Sequence, residues 1–181
     1  MCMSNYDSII RGVQKCDSRS QMMFYDLFIR PVYLSAYSIT GNESEAEEIA
    51  QDTMLKVFSR TDLLNDDVAA MTRIMRRIAS NAAIDMIRRR KDFIFSSENI
   101  PDAEDNETED AGYDFSIEEI RNGIAVLPHG YRSLITLRLF ENMSFAEIAD
   151  MLKMNCSTAR VQYTRGIVKL KELLIKKKNY V

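Results

Sequence analysis

The residues best placed to do chemistry in this 181-residue chain are charged and amide side chains at helical spacing, not nucleophiles or metal ligands. Toward the C-terminus Thr158, Arg160, Gln162, Thr164 and Arg165 crowd the start of one helical stretch, with Lys169, Lys171, Lys176, Lys177 and Lys178 beyond. Arginine can pair with guanine, glutamine with adenine, and lysines neutralise phosphates, so this order suits a helix whose first turns enter a major groove. A second basic group is Arg77, Asn81, Arg88 and Arg89, with Arg90 and Lys91 following. Asn81, Asp85 and Arg88 share a face at i, i+4, i+7; the amide can bond an exposed base and the arginines can hold phosphates or stack on unpaired bases. Asp85 fits an orienting role beside an arginine better than a place on DNA. Glu45, Glu48 and Asp52, at i, i+3, i+7 with Gln51 among them, form an acidic face that cannot favour DNA and suits a basic protein surface. Taken singly, each group also fits a plainer role: an amphipathic hairpin with a basic tail, a helix end complementing its own dipole, a solvated helix face.

Other chemistries are excluded by what is missing. The single histidine, His129, lies between Pro128 and Gly130 and has no catalytic companions. The three cysteines, Cys2, Cys16 and Cys156, are odd in number and fit no zinc spacing. There is no catalytic triad, phosphate loop or metal-ligand cluster, so no catalytic residue, cofactor or metal is expected and the chain is not read as an enzyme. No stretch approaches the roughly 18 apolar residues of a membrane span. Met1 to Gln14 lacks a basic start followed by an apolar run, so no secretion signal is expected. These absences predict a cytoplasmic protein with no membrane contact.

The elements that must hold these groups are all helical. Only six glycines and three prolines punctuate the chain, and no alternating strand pattern is evident. Helices are predicted over Tyr6 to Cys16 and from about Ser20 to Ile39, with Pro31 a kink or boundary and Gly41 a left-handed stop. Asn42 with Glu45 caps a third helix reaching Phe58, whose inward stripe is Ala46, Ile49, Ala50, Thr53 and Val57. Ser59 to Asp66 reads as a polar loop. A fourth helix, Asp67 to Arg90, has the apolar stripe Met71, Ile74, Met75, Ile78, Ala82 and Met86. From Glu98 to Glu119 there are ten acidic residues and no lysine or arginine. With few large apolar groups to offset ordering entropy, 93–115 reads as a flexible acidic linker. Ser116 with Glu119 opens a fifth helix to Leu127, and Pro128-His129-Gly130 breaks the chain before a sixth, Tyr131 to Phe140. Glu141-Asn142-Met143 is a turn. Ser144 with Glu147 opens a short helix through Ile148, Ala149 and Leu152, and after a second turn Ser157 caps a final helix, Thr158 to about Lys177. The last two have helix-turn-helix proportions. Ala149 marks their close approach, and Val161 or Ile167 can meet Ile148 and Leu152. The expectation is an all-α protein of two small helical domains, 1–92 and 116–181, joined by the linker 93–115, the second domain containing a helix-turn-helix.

In this order the pieces resemble the sigma-70 family, extracytoplasmic-function group, over nearly the whole chain. Glu45 to Phe58 resembles conserved region two, Arg77 to Arg89 the promoter-melting helix, and Leu127 to Ile135 with Glu141 to Ala149 and Ser157 to Arg160 region four. The resemblance implies that Glu45, Glu48, Gln51 and Asp52 dock on the clamp helices of the polymerase beta-prime subunit. It implies that Arg77, Asn81, Arg88 and Arg89, with the loop before them, bind the minus-ten element and its unpaired strand. It implies that Thr158, Arg160, Gln162, Thr164, Arg165 and Lys169 read the minus-thirty-five element while their domain packs on the beta-subunit flap. Core RNA polymerase and promoter DNA are then the partners, and such factors are often held by an anti-sigma protein. The chain departs from the family pattern in lacking a tryptophan before the melting helix, where Met71 to Ile74 stand. Asn142 replaces a common glycine, which Asn tolerates because it accepts left-handed geometry. Val161 and Gln162 occupy positions that are often polar or basic, which leaves the minus-thirty-five sequence open. The competing expectations are a helix-turn-helix regulator that acts without polymerase, dimerising on palindromic sites, and an anti-sigma or adaptor protein that acts through protein contacts only.

Overall fold

The computed structural model describes residues 5–89 and 115–179. Every regular element among them is helical, and contacts divide the chain into two compact units, Met1–Met86 and Ile87–Val181. The acidic linker expected over 93–115 lies, but for Phe115, outside the described residues, as do Cys2, Arg90 and Lys91.

The first unit is built from α1 (Asn5–Gln14), α2 (Ser18–Thr40), α3 (Glu43–Ser59), a single 3₁₀ turn (Thr61–Leu63) and α4 (Val68–Arg89), whose last turn runs past the unit boundary. Helix α2 is its spine and packs on both α1 and α3. Its start is capped by Asp17, whose carboxylate accepts the Ser20 N–H at 2.8 Å and the Ser20 hydroxyl at 2.6 Å. Its end is Gly41 in the left-handed region (φ 64°), donating to the Tyr37 carbonyl, as the sequence predicts. Pro31 does not break this helix. A proline inside a helix costs about 3 kcal/mol. Burial of Phe24 and Phe28 on one side of it and Val32, Ala36 and Ile39 on the other offsets that, at about 1.5–3 kcal/mol for each large side chain. Asn42 caps α3 by accepting the Glu45 N–H at 3.2 Å, and the predicted inward stripe is buried in full, joined by Met54. The loop expected over 59–66 contains the 3₁₀ turn.

Helix α4 differs from its predicted stripe. Met71, Met75, Ala79, Ala83 and Ile84 are buried, whereas Ile74, Ile78, Ala82 and Met86 are only half-buried. The core row Met71, Met75, Ala79 and Ala83 runs at i, i+4 and ends in small residues, and beside it Ser80 is buried, its hydroxyl pairing with that of Ser35 on α2 at 3.0 Å. Small side chains and a satisfied hydroxyl let two helices approach closely, and hydropathy periodicity ranks both below isoleucine and methionine.

The second unit contains α5 (Ile117–Ala125), α6 (His129–Leu139), α7 (Phe145–Leu152) and α8 (Cys156–Asn179). Helix α8 packs on the other three. Ile124, Leu127, Tyr131, Ile135, Leu170 and Leu174 form the core. Both predicted capping boxes are present: Ser116 with Glu119, and Ser144 with Glu147. Hydrogen bonds from the Ser116 backbone and side chain hold the Glu119 carboxyl below its ordinary range. Pro128-His129-Gly130 is not a separate break: Pro128 is the N-cap of α6, and His129 and Gly130 are its first residues. Proline's missing N–H costs nothing where the helix needs no donor. Buried Arg132 then ties the end of α5 to α6, its guanidinium donating to the carbonyls of Ala125 and Leu127. Asn142 is left-handed (φ 52°), as expected, and so is Lys153 (φ 53°), which closes α7. Helix α8 begins at Cys156, so Ser157 is its second residue and not its cap; the Asn155 carbonyl accepts the first helical bond, from Ala159. Val161 is 48% exposed, whereas Ala159 is fully buried.

Candidate functional site

Three exposed surfaces carry the candidate residues, and the structure treats them differently. On α3, Glu48, Gln51 and Asp52 are exposed while Glu45 is half-buried, so the acidic face is three open residues with a partly sheltered one at its start. Leu55, one turn beyond Asp52, is 65% exposed on the same side. Gln51 and Glu47 also line an open cleft of about 470 Å³ against α2, together with Tyr25, Ile29, Arg30, Tyr33 and Ala50. Tyr33 stacks on Tyr37 with ring centroids 5.9 Å apart. The sequence reading of the acidic residues missed both Leu55 and this cleft. For Leu55 the available signal was a large apolar side chain three positions after an outward-facing aspartate.

On α4, Arg77, Asn81, Asp85 and Arg89 are exposed at four-residue spacing, and Arg88 is half-buried. The helix therefore presents one amide and two guanidinium groups along a line, with the exposed Asp85 carboxylate among them. Its N-terminus is built by two local carboxamide and carboxylate bonds. The Asn65 side chain accepts the Asp67 N–H at 2.8 Å, and the Asp67 carboxylate accepts the Ala70 N–H at 2.7 Å. Just before it, Arg60 and Asp62 pair at 2.7 Å on the surface. That hydrogen bond lowers the Asp62 carboxyl, but both groups are open to water and the pair adds little to stability.

On α8, Thr158, Arg160 and Thr164 are exposed, whereas Gln162, Arg165 and Lys169 are half-buried. The Gln162 amide oxygen is turned inward, and the Lys169 ammonium lies 5.9 Å from the Tyr131 ring centre. The six predicted residues are thus split: three point outward and three lie partly against the domain. Phe145, half-buried at the first position of α7, meets side chains of α8 and α6. The Arg160 guanidinium lies 5.7 Å from its ring centre and that of Arg138 lies 5.0 Å from it; Tyr163 meets it edge-on at 5.4 Å. Arg138 is further anchored by donating to the Met143 carbonyl at 2.8 Å. Burial raises the Tyr163 hydroxyl above its ordinary range, so it stays protonated. Arg138 was missed from the sequence because it ends a helix outside the hairpin and only folding brings it to Arg160. Among the described residues no group of histidine, cysteine and carboxylate side chains could hold a metal, and no helix is long and apolar enough to cross a membrane.

Comparison with known proteins supplies two family matches. Residues 24–93 match sigma-70 region 2, and residues 117–170 match sigma-70 region 4. The chain is 27% identical over 177 residues to the ECF RNA polymerase sigma factor SigW of Bacillus subtilis, covering 91% of this chain and 94% of that one. It is 28% identical over 151 residues to the ECF RNA polymerase sigma factor SigE of Mycolicibacterium smegmatis, covering 80% of this chain and 58% of that one. A third relative is the ECF RNA polymerase sigma factor SigM of Bacillus subtilis, 22% identical over 151 residues, with 82% and 91% covered. The region 2 match falls on the helices that carry the acidic face and the α4 line, and a helix-turn-helix regulator acting alone has no need of that domain.

Proposed function

Because the chain belongs to the sigma-70 family of RNA polymerase sigma factors, in its extracytoplasmic-function group, we propose how its residues divide the work of directing promoter-specific transcription initiation. The first domain, 1–92, docks on core polymerase through Glu45, Glu48, Gln51 and Asp52, with the beta-prime subunit as the partner. Leu55 adds apolar area to that acidic face. The same domain receives the minus-ten element on Arg77, Asn81, Arg88 and Arg89, together with the segment that precedes α4. Extruding bases from a duplex costs a few kcal/mol, which contacts to the unpaired strand must offset. The second domain, 116–181, reads the minus-thirty-five element with Thr158, Arg160, Gln162, Thr164 and Arg165, and packs on the beta subunit. Arg138 joins Arg160 there, and Lys169 serves as a weaker phosphate contact. The acidic linker, 93–115, repels duplex DNA and lies in the basic channel of the polymerase. The chain acts in the cytoplasm and supplies recognition, while polymerase performs the phosphodiester chemistry. An anti-sigma protein as a further partner rests on family habit alone.

The observation that carries this reading is the opposite sign of the exposed faces of α3 and α4, acidic on one and basic on the other. Reversing Glu48 and Asp52 to lysine tests it. Holoenzyme assembly should fall while binding of the full chain to a minus-thirty-five duplex persists. Unchanged affinity for core polymerase rejects the α3 face as the docking surface. In vitro transcription with core polymerase over a genomic promoter library then identifies the sites the factor selects.

A further inference from the structure

The start of α4 is reached by a chain of polar contacts that begins near the N-terminus. The Tyr6 hydroxyl on α1 donates to the Asn65 carbonyl at 3.0 Å, across 59 positions of sequence. Its ring stands edge-on to Phe28 of α2, centroids 6.2 Å apart at 67°. From Asn65 the path continues through its own side chain to the Asp67 N–H, and from the Asp67 carboxylate to the Ala70 N–H in the first turn of α4. No side chain from Arg60 to Asp67 is fully buried, so apolar packing alone does not hold that segment. The Tyr6 hydroxyl holds it from α1. Burial, helped by the carboxylates of Asp66 and Asp67, pushes Tyr6 up to about 12, so it remains a donor at every physiological pH.

We propose that Tyr6 is a positioning residue for promoter opening: its bond to the Asn65 carbonyl keeps the 60–67 segment in the shape that receives unpaired bases of the minus-ten element. This rests on the reading that α4 and the segment before it bind that element. Tyr6 touches no DNA in this scheme. It acts by lowering the conformational freedom of a segment that must otherwise be ordered when bases arrive, and binding is weakened by whatever ordering it must supply itself. The hydroxyl is the right device, because an apolar anchor at the same place would fix the ring but not a carbonyl in an exposed turn.

The test is Tyr6→Phe in the full chain, which keeps the ring edge on Phe28 and removes only the donor. Holoenzyme made with each form is placed on a promoter selected by the wild-type holoenzyme, and opening is followed with a fluorescent base analogue at the minus-ten element. Losing one neutral hydrogen bond should slow opening by about 3- to 10-fold. Affinity for a single-stranded non-template oligonucleotide should fall by a similar factor, with core affinity and minus-thirty-five duplex affinity nearly unchanged and the melting temperature lowered by no more than the loss of that one bond. Wild-type opening kinetics in the variant overturn the proposal. Equal loss of core binding, duplex binding and opening also overturns it, since that pattern means general destabilisation. Failure of the wild-type chain itself to join core or open any promoter instead strikes the reading on which the proposal rests.

Discussion

Phe145 gathers two guanidinium groups, from Arg138 on α6 and Arg160 on α8, around one ring. Two like charges do not approach unaided, and the negative ring face is what makes their company tolerable. Phe145→Leu keeps the apolar volume but removes that face. It is expected to weaken minus-thirty-five binding by roughly 2- to 5-fold, the scale of an exposed cation–π contact. In an Arg160→Ala background the same change should cost much less, and fluorescence anisotropy on the four proteins of that cycle measures the difference. Tyr6 supplies a pH prediction of definite sign. Its folded value, about 12, lies above the ordinary 10.0, so the folded state holds the proton more tightly than the unfolded chain. Its contribution is complete below pH 10 and is lost as pH rises toward 12. Unfolding titrations of wild type and Tyr6→Phe should diverge below that window and converge through it; lysine titration, common to both proteins, cancels in the comparison.

Helix ends were more legible than helix faces. Asn42, Ser116 and Ser144 cap the helices expected of them because a cap needs only a few consecutive residues, all visible in sequence. Ser144→Ala should therefore lower stability by about 1 kcal/mol, visible as a drop in melting temperature, and should loosen the ring contacts at Phe145 next to it. The α4 stripe was misplaced by its neighbours in space: Ala79, Ser80 and Ala83 are buried because α4 needs close approach there, and nothing local demands it. Gly12 is a similar case. A Cβ there would lie 1.9 Å from the Ser20 hydroxyl oxygen and 2.4 Å from its Cβ. Gly12→Ala should destabilise the first unit by about 1–3 kcal/mol despite alanine's better helix propensity, as chemical denaturation can read. An unchanged midpoint would mean that α1 moves away without cost.

At the scale of the whole chain, charge is sorted by position. Ten of the 27 acidic side chains lie in 98–119, which leaves 17 against 24 basic ones elsewhere. A net charge of −3 thus conceals a basic remainder interrupted by one acidic stretch. Converting the acidic residues of 98–114 to their amides should raise the affinity of the free chain for non-promoter duplex several-fold at low salt, and the gain should vanish as salt screens it. Gel-shift titration at two salt concentrations decides this; equal affinity before and after conversion would show that the stretch does not guard against duplex DNA.

Sequence alone determined the helical class, the order of the elements, most of their caps and the segregation of acidic from basic faces, since each depends on spacing within one element. The tertiary structure decided which half of the α8 group faces outward, that Arg138 joins Arg160, that α4 buries its small residues, and that Tyr6 reaches Asn65. Those depend on distances between elements, and chain separation carries no record of them: the 59 positions from Tyr6 to Asn65 close to a 3.0 Å hydrogen bond only once the domain has folded.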